Sequence, residues 1–123
     1  MEESILRTIK PMINVEPDDH NFDSSILVGI NSAFSTLLQV GIGVASDLEN
    51  PSGNTESIRS LHVRDDTAMW SSLNAGSALG MVQEYVYIKT LLVFDPPSNP
   101  SVLKALDEES NELIWRIDAK LTA

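Results

Sequence analysis

Apolar residues return every three or four positions along most of this chain, and proline or glycine bounds each run, a pattern of amphipathic helices rather than strands. Residues 4–12 read as a short helix with Ile5, Leu6, Ile9 and Met12 on one side, ending between Pro11 and Pro17. A second helix follows the turn at residues 16–21. Asp23 is its expected cap, and Phe22 and Leu27 stand where a hydrophobic staple would close. Ile26, Ile30, Ala33, Phe34, Leu37 and Leu38 form its stripe, and Gly41-x-Gly43 supplies the left-handed exit. Residues 44–64 lack a helical period. Asn50-Pro51-Ser52-Gly53-Asn54 marks a turn between weakly apolar arms at 44–48 and 58–63, so this region is either a small β-hairpin or a long loop. Its length and polarity predict that residues 44–64 are mobile in a free monomer and ordered on assembly.

Asp66 or Thr67 opens a second short helix carrying Met69, Trp70 and Leu73, which Asn74-Ala75-Gly76 breaks. The long helix that follows, residues 79–94, is apolar on more than one side. Positions 79, 82, 85, 86, 92 and 93 make one stripe and 81, 88 and 91 a second, which predicts that a lone small subunit leaves part of it for a neighbour. Asp95 before Pro96-Pro97 ends it in an extended reversal. Ser98 or Asn99 then caps a last helix with Pro100 at its first position, where the missing N–H costs nothing. Val102, Leu103, Leu106, Leu113, Ile114, Ile117 and Leu121 form its stripe, interrupted at Ser110, with Asp107, Glu108, Glu109 and Glu112 facing away. The expected fold is all-α: a small bundle of three main helices plus two short ones in one domain spanning residues 1–123, with the loop or hairpin around 44–64.

Little in the sequence points to catalysis. His20 follows Asp18-Asp19, but no second ligand arrives at helical spacing, and capping and dipole terms account for the acids there. His62, alone in an apolar arm, reads as a partly buried spectator. The glycines form no phosphate-cradling loop, no Gly-x-Ser-x-Gly elbow is present, and Glu108 with Glu112 reads as a solvated face. No catalytic residue, metal or cofactor is expected. Trp70 and Trp115 read as core anchors. Tyr85 and Tyr87 lie ~200° apart around their helix, which fits either one for the core and one for a partner, or two core tyrosines with satisfied hydroxyls.

Charge narrows the partners. Eighteen acidic residues against eight basic ones leave a net charge of −10 and no basic stripe, which excludes gripping a phosphate backbone by counterion displacement. An acidic mimic of DNA that blocks a nucleic-acid-binding protein is the alternative that charge invites, although the acids scatter over termini and turns instead of repeating at phosphate-like intervals. The chain has no cysteine and no run of ~20 apolar residues, and it opens with two glutamates where a signal peptide would be basic, so synthesis in the cytoplasm without membrane insertion is expected.

Several segments carry a resemblance. A tyrosine-bearing helix running into Phe94-Asp95-Pro96-Pro97-Ser98, followed by a helix with Glu112-x-x-Trp115-Arg116, resembles the small head-tail connector proteins (head-completion or adaptor proteins) of tailed bacteriophages. Agreement extends to Ile5-Leu6-Arg7-Thr8-Ile9-Lys10, to the segment from Phe22 through Phe34, and to Thr67-Ala68-Met69-Trp70-Ser71-Ser72-Leu73. The chain departs from that pattern over residues 45–64, where its polar insert is longer. The resemblance implies a structural virion protein, assembled in the host cytoplasm, that docks as a ring, generally twelve-fold, under the portal protein at the head-tail junction. Such a ring extends the DNA channel and offers a platform to a tail-completion or stopper protein. DNA would pass without specific binding, since twelve copies at −10 each carry −120 charges. By the same resemblance, residues 112–123 face the portal, through Leu113, Trp115, Arg116, Ile117, Lys120 and Leu121. Residues 46–64 and 81–92 would meet ring neighbours, through Met81, Tyr85, Tyr87, Ile88 and Leu91.

Overall fold

The computed structural model describes residues 4–45 and 58–122. Helix α1 (Ile5–Met12) starts at Ser4, whose hydroxyl accepts the Arg7 N–H at 3.3 Å and donates to the Asp66 carbonyl at 2.7 Å. The Ile5 N–H bonds to the Ala68 carbonyl, so the first turn is tied to a segment sixty residues downstream. Ile5, Leu6 and Ile9 are buried as their spacing predicts, but Met12 is exposed and Ile13 takes its place in the core. The helix ends at Met12 as expected, Asn14 then adopts a left-handed conformation, and the turn carries the C-cap residue Ile13 into the core.

Lys10 is buried on the same helix. Its ammonium lies 2.6 Å from Asp23 Oδ1 and donates to the Pro17 carbonyl at 3.2 Å, while His20 Nδ1 donates to Asp23 Oδ2 at 2.8 Å. Asp23 therefore does not cap α2 (Asp23–Gln39). It is the first helical residue, Phe22 occupies the cap position without a side-chain bond, and the carboxylate turns to a buried cation that pairs with no other carboxylate among the described residues. The expected staple also differs, because Phe22 packs edge-on against Phe94, with ring centroids 5.6 Å apart, instead of on Leu27. Beyond its first turn α2 follows the expected pattern: Ile26, Ile30, Ala33, Phe34 and Leu37 are buried, and Gly41 exits the helix at φ +93°.

Two residues on each side form the antiparallel ladder between β1 (Val44–Ala45) and β2 (Ile58–Arg59), with Val44 opposite Arg59 and Ala45 opposite Ile58. The expected turn at 50–54 and the mobility expected of the loop fall largely on residues 46–57, outside the described residues. Two asparagines hold the base of this excursion. Asn31 on α2 pairs with both backbone groups of Val63 at 2.7 and 2.9 Å, and Asn74 accepts from the Gly43 N–H and donates to the Gly41 carbonyl. A Cβ on Gly43 would overlap the Arg59 carbonyl oxygen, so the ladder closes only around glycine. The short helix expected near Trp70 is a single 3-10 turn (Trp70–Ser72), because Asp65 satisfies the Thr67 N–H in a local turn and delays the helix start. Trp70 is buried against Phe34, and a second 3-10 turn (Gly76–Ala78) leads straight into α3 (Leu79–Phe94). His62 is exposed instead of partly buried, since Val63 beside it turns into the core.

Helix α3 is the centre of the bundle. Phe22 meets Phe94 and Gly29 meets Thr90, so α2 and α3 run antiparallel. A Cβ on Gly29 would sit 2.8 Å from the Thr90 Cα, which brings the two backbones into direct contact. On the other flank lies α4 (Pro100–Thr122), reached through Pro96-Pro97 and capped as expected by Asn99, whose Oδ1 accepts the Ser101 N–H at 2.9 Å. Ser110, Leu113 and Ile117 of α4 are buried against α3 and the turn before it. The Ser110 hydroxyl donates to the Asp107 carbonyl of its own helix, which lets a small polar residue complete the apolar stripe. The observed architecture is the all-α bundle that the periodicity predicts.

Two outcomes follow from these contacts. Asp23→Ala leaves the Lys10 ammonium buried without an anion and is expected to destabilise the subunit by about 3–5 kcal/mol in urea melts at pH 7. Burial alone would raise the Asp23 pKa, but hydrogen bonds from Lys10 and His20, with their charges, outweigh it and hold it below 3.8. Its contribution is thus present above about pH 4 and lost as pH falls through the lowered value, so Asp23→Asn should flatten the acid limb of the stability profile. Separately, Gly29→Ala gains helix propensity yet forces α2 off α3, with an expected net loss of about 1–3 kcal/mol. Unchanged thermal stability of that variant would show that the crossing is looser than described.

Candidate functional site

Among the described residues no group of three or more His, Asp or Glu side chains is placed to hold a metal ion, which leaves the uncovered side chains of the subunit as the candidate surface. The central helix offers fewer than its sequence predicts. Of the ring candidates on α3, Tyr85 and Ile88 are buried in the subunit core, and Met81, Tyr87 and Leu91 are half-buried. The reason is geometric: α2 and α4 press on opposite flanks of α3, so both apolar stripes are largely used inside one copy. Burial pushes the Tyr85 phenol above its usual pKa of 10.0, against an opposing hydrogen bond from Thr36, as suits a core tyrosine kept neutral. Tyr85 and Ile88 are therefore out of a neighbour's reach. Met81, Tyr87 and Leu91 keep part of their surface open, and Val93 is exposed.

Helix α4 exposes Val102, Leu103, Trp115 and Leu121, while Phe22, Val28 and Val93 are exposed on or beside the other main helices. The N-terminal part of α4, residues 101–105, is exposed throughout, with Val102 and Leu103 facing outward. Leu103, Pro100 and Leu92 line an open groove of about 490 Å³ between the end of α3 and the start of α4, with Lys104 and Asp107 on its rim. Farther along, the portal candidates separate into two groups. Leu113 and Ile117 are core residues at 3% and 0% exposure and hold α4 to the bundle. Trp115, Arg116, Lys120 and Leu121 are exposed, and Arg116 pairs with Glu112 at 2.8 Å across one helical turn.

Trp115 is not the core anchor its residue type suggests: it is 70% exposed. Two residues before Ile117 it points ~200° away around the helix, onto the face opposite the buried stripe. That signal was available in the spacing, since Leu106, Ser110, Leu113 and Ile117 define the stripe without it. The groove had a weaker signal. Only the antiparallel return of α4 brings Leu92 beside Leu103, and no local periodicity encodes that meeting. His20 and Asp23, noted beside Asp18-Asp19, are engaged with one another and with Lys10. Among the described residues no helix is long and apolar enough to cross a membrane.

Comparison with known proteins agrees with these features. The family described as phage connector protein matches residues 5–122, which includes every helix described above. No curated protein and no solved structure matches the chain. A match over nearly the whole sequence establishes a structural, connector-type virion component: the chain belongs to the phage connector protein family.

Proposed function

We propose that the protein docks as a ring beneath the portal of a filled capsid, extends the DNA channel there, and presents a platform to the tail-completion or stopper protein that follows. The family match over residues 5–122 carries this reading. What supports the finer part is a division of surfaces on α4, whose buried stripe is spent on the subunit's own core while Arg116, Lys120 and Leu121 near its C-terminal end remain exposed. Arg116, paired with Glu112, and Lys120 one turn further on put two cations at this end of a chain of net charge −10, which suits an acidic collar on a portal. Leu113 and Ile117 position that face without touching the portal.

The acidic balance fits a passage for a polyanion. Asp107, Glu108, Glu109 and Glu112 are exposed on the solvent face of α4, and repeated around a ring such charges would keep DNA from adhering while it moves. A ring also needs two complementary faces on each subunit so that head-to-tail contacts close on themselves.

Co-sedimentation with portal-bearing capsids tests the docking face. Arg116→Glu combined with Lys120→Glu changes only exposed positions, should leave circular dichroism unchanged, and is expected to weaken capsid binding about tenfold or more. Wild-type binding by that folded variant would remove Arg116 and Lys120 from the portal contact. The free chain is also expected to show no retention of duplex DNA in a gel-shift assay even at ~50 mM salt, where any phosphate contact would be strongest. A salt-sensitive shift would contradict the sliding-channel reading.

A further inference from the structure

We propose that the contact between successive copies is made by Trp115 of one copy seated in the groove lined by Leu92, Pro100 and Leu103 of the next. This deepens the ring reading above and rests on it. The subunit carries both halves of such a contact and cannot join them within itself. Trp115 and Leu103 are twelve residues apart on one straight helix, ~18 Å along the axis and ~120° around it, so the indole cannot fold back into its own groove. A protruding side chain and a recess on different faces make a heterologous pair, the kind that propagates head to tail.

Size and chemistry match. The groove, about 490 Å³, is open enough to admit an indole, and its walls are apolar. An exposed tryptophan at 70% exposure is the side chain most enriched among residues that dominate association. On the rim, Lys104 can lie over the face of an incoming indole, and it also opposes the acids that accompany Trp115 on its own face, Glu112 and Asp118. Aromatic insertion beneath a rim cation thus accounts for the groove, for the exposed tryptophan and for the placing of Lys104.

Sedimentation velocity of the full chain over a concentration series, with circular dichroism as the folding control, tests the contact. The wild type is expected to associate as concentration rises, whereas Trp115→Ala and Leu103→Glu, both at exposed positions, should each weaken association about 30-fold or more. Mixing the two variants is the decisive arm. One retains an intact groove and the other an intact tryptophan, so the mixture should form dimers that do not grow, because the remaining ends are both defective. A wild type that stays monomeric up to millimolar concentration, or a Trp115→Ala variant that associates normally, overturns the proposal. Capsid binding separates it from the portal reading. Trp115→Ala that fails to self-associate yet still binds portal capsids supports the proposal, while loss of capsid binding with self-association intact reassigns Trp115 to the portal and overturns it.

Discussion

The direct backbone contact of α2 with α3 at Gly29 and Thr90 is the constraint on which the arrangement depends. Once the two helices touch that closely, α3 has one flank closed, and the short proline-rich connection brings α4 back along the other. The most apolar helix of the chain is then enclosed by its own subunit. Exposed apolar side chains remain on α4 at Val102, Leu103, Trp115 and Leu121, and elsewhere at Phe22, Val28 and Val93. The close crossing thus fixes which helix is structural and which is presented.

A second constraint orients the amino-terminal part. Burying Lys10 stabilises the fold only if a carboxylate and a carbonyl reach the ammonium, and Asp23 and Pro17 do so from the segment leading into α2. The ion pair therefore sets where α2 begins, while Ser4 and the Asp66 and Ala68 carbonyls set where α1 begins. Pairs of this kind add little net stability relative to an apolar alternative, but they define one geometry, because any displacement strands a charge. Asn31 and Asn74 act similarly on neutral groups, each occupying both its donor and its acceptor on backbone.

Helix positions were legible in the sequence wherever a stripe of spacing three and four met a breaker: α2 and α3 end at Gly41 and Asp95-Pro96, and α4 begins at Asn99-Pro100, as those residues say they should. What local pattern cannot show is competition for a side chain. Asp23 has the residue type and position of a cap, yet the buried Lys10, thirteen residues earlier in the chain, claims it on folding. The same limit applies to the candidate surfaces. Tyr85 and Ile88 looked available because a helix read alone has no neighbours, and two flanking helices removed them. Trp115 was legible by angle and hidden by residue type, since indoles are usually covered. The groove at Leu92 and Leu103 arises from tertiary return alone.

The uneven seating of α4 has a mechanical consequence. Its middle, from Ser110 to Ile117, carries the buried Ser110, Leu113 and Ile117, while residues 101–105 are exposed and meet the bundle at the groove beside Leu92, next to the Asn99 cap and the Pro96-Pro97 corner. A load applied along this helix would meet a stiff anchor at its centre and a compliant arm at its start. Elastic give is thereby confined to the stretch nearest the groove, and the core beneath can stay undistorted while the arm bends.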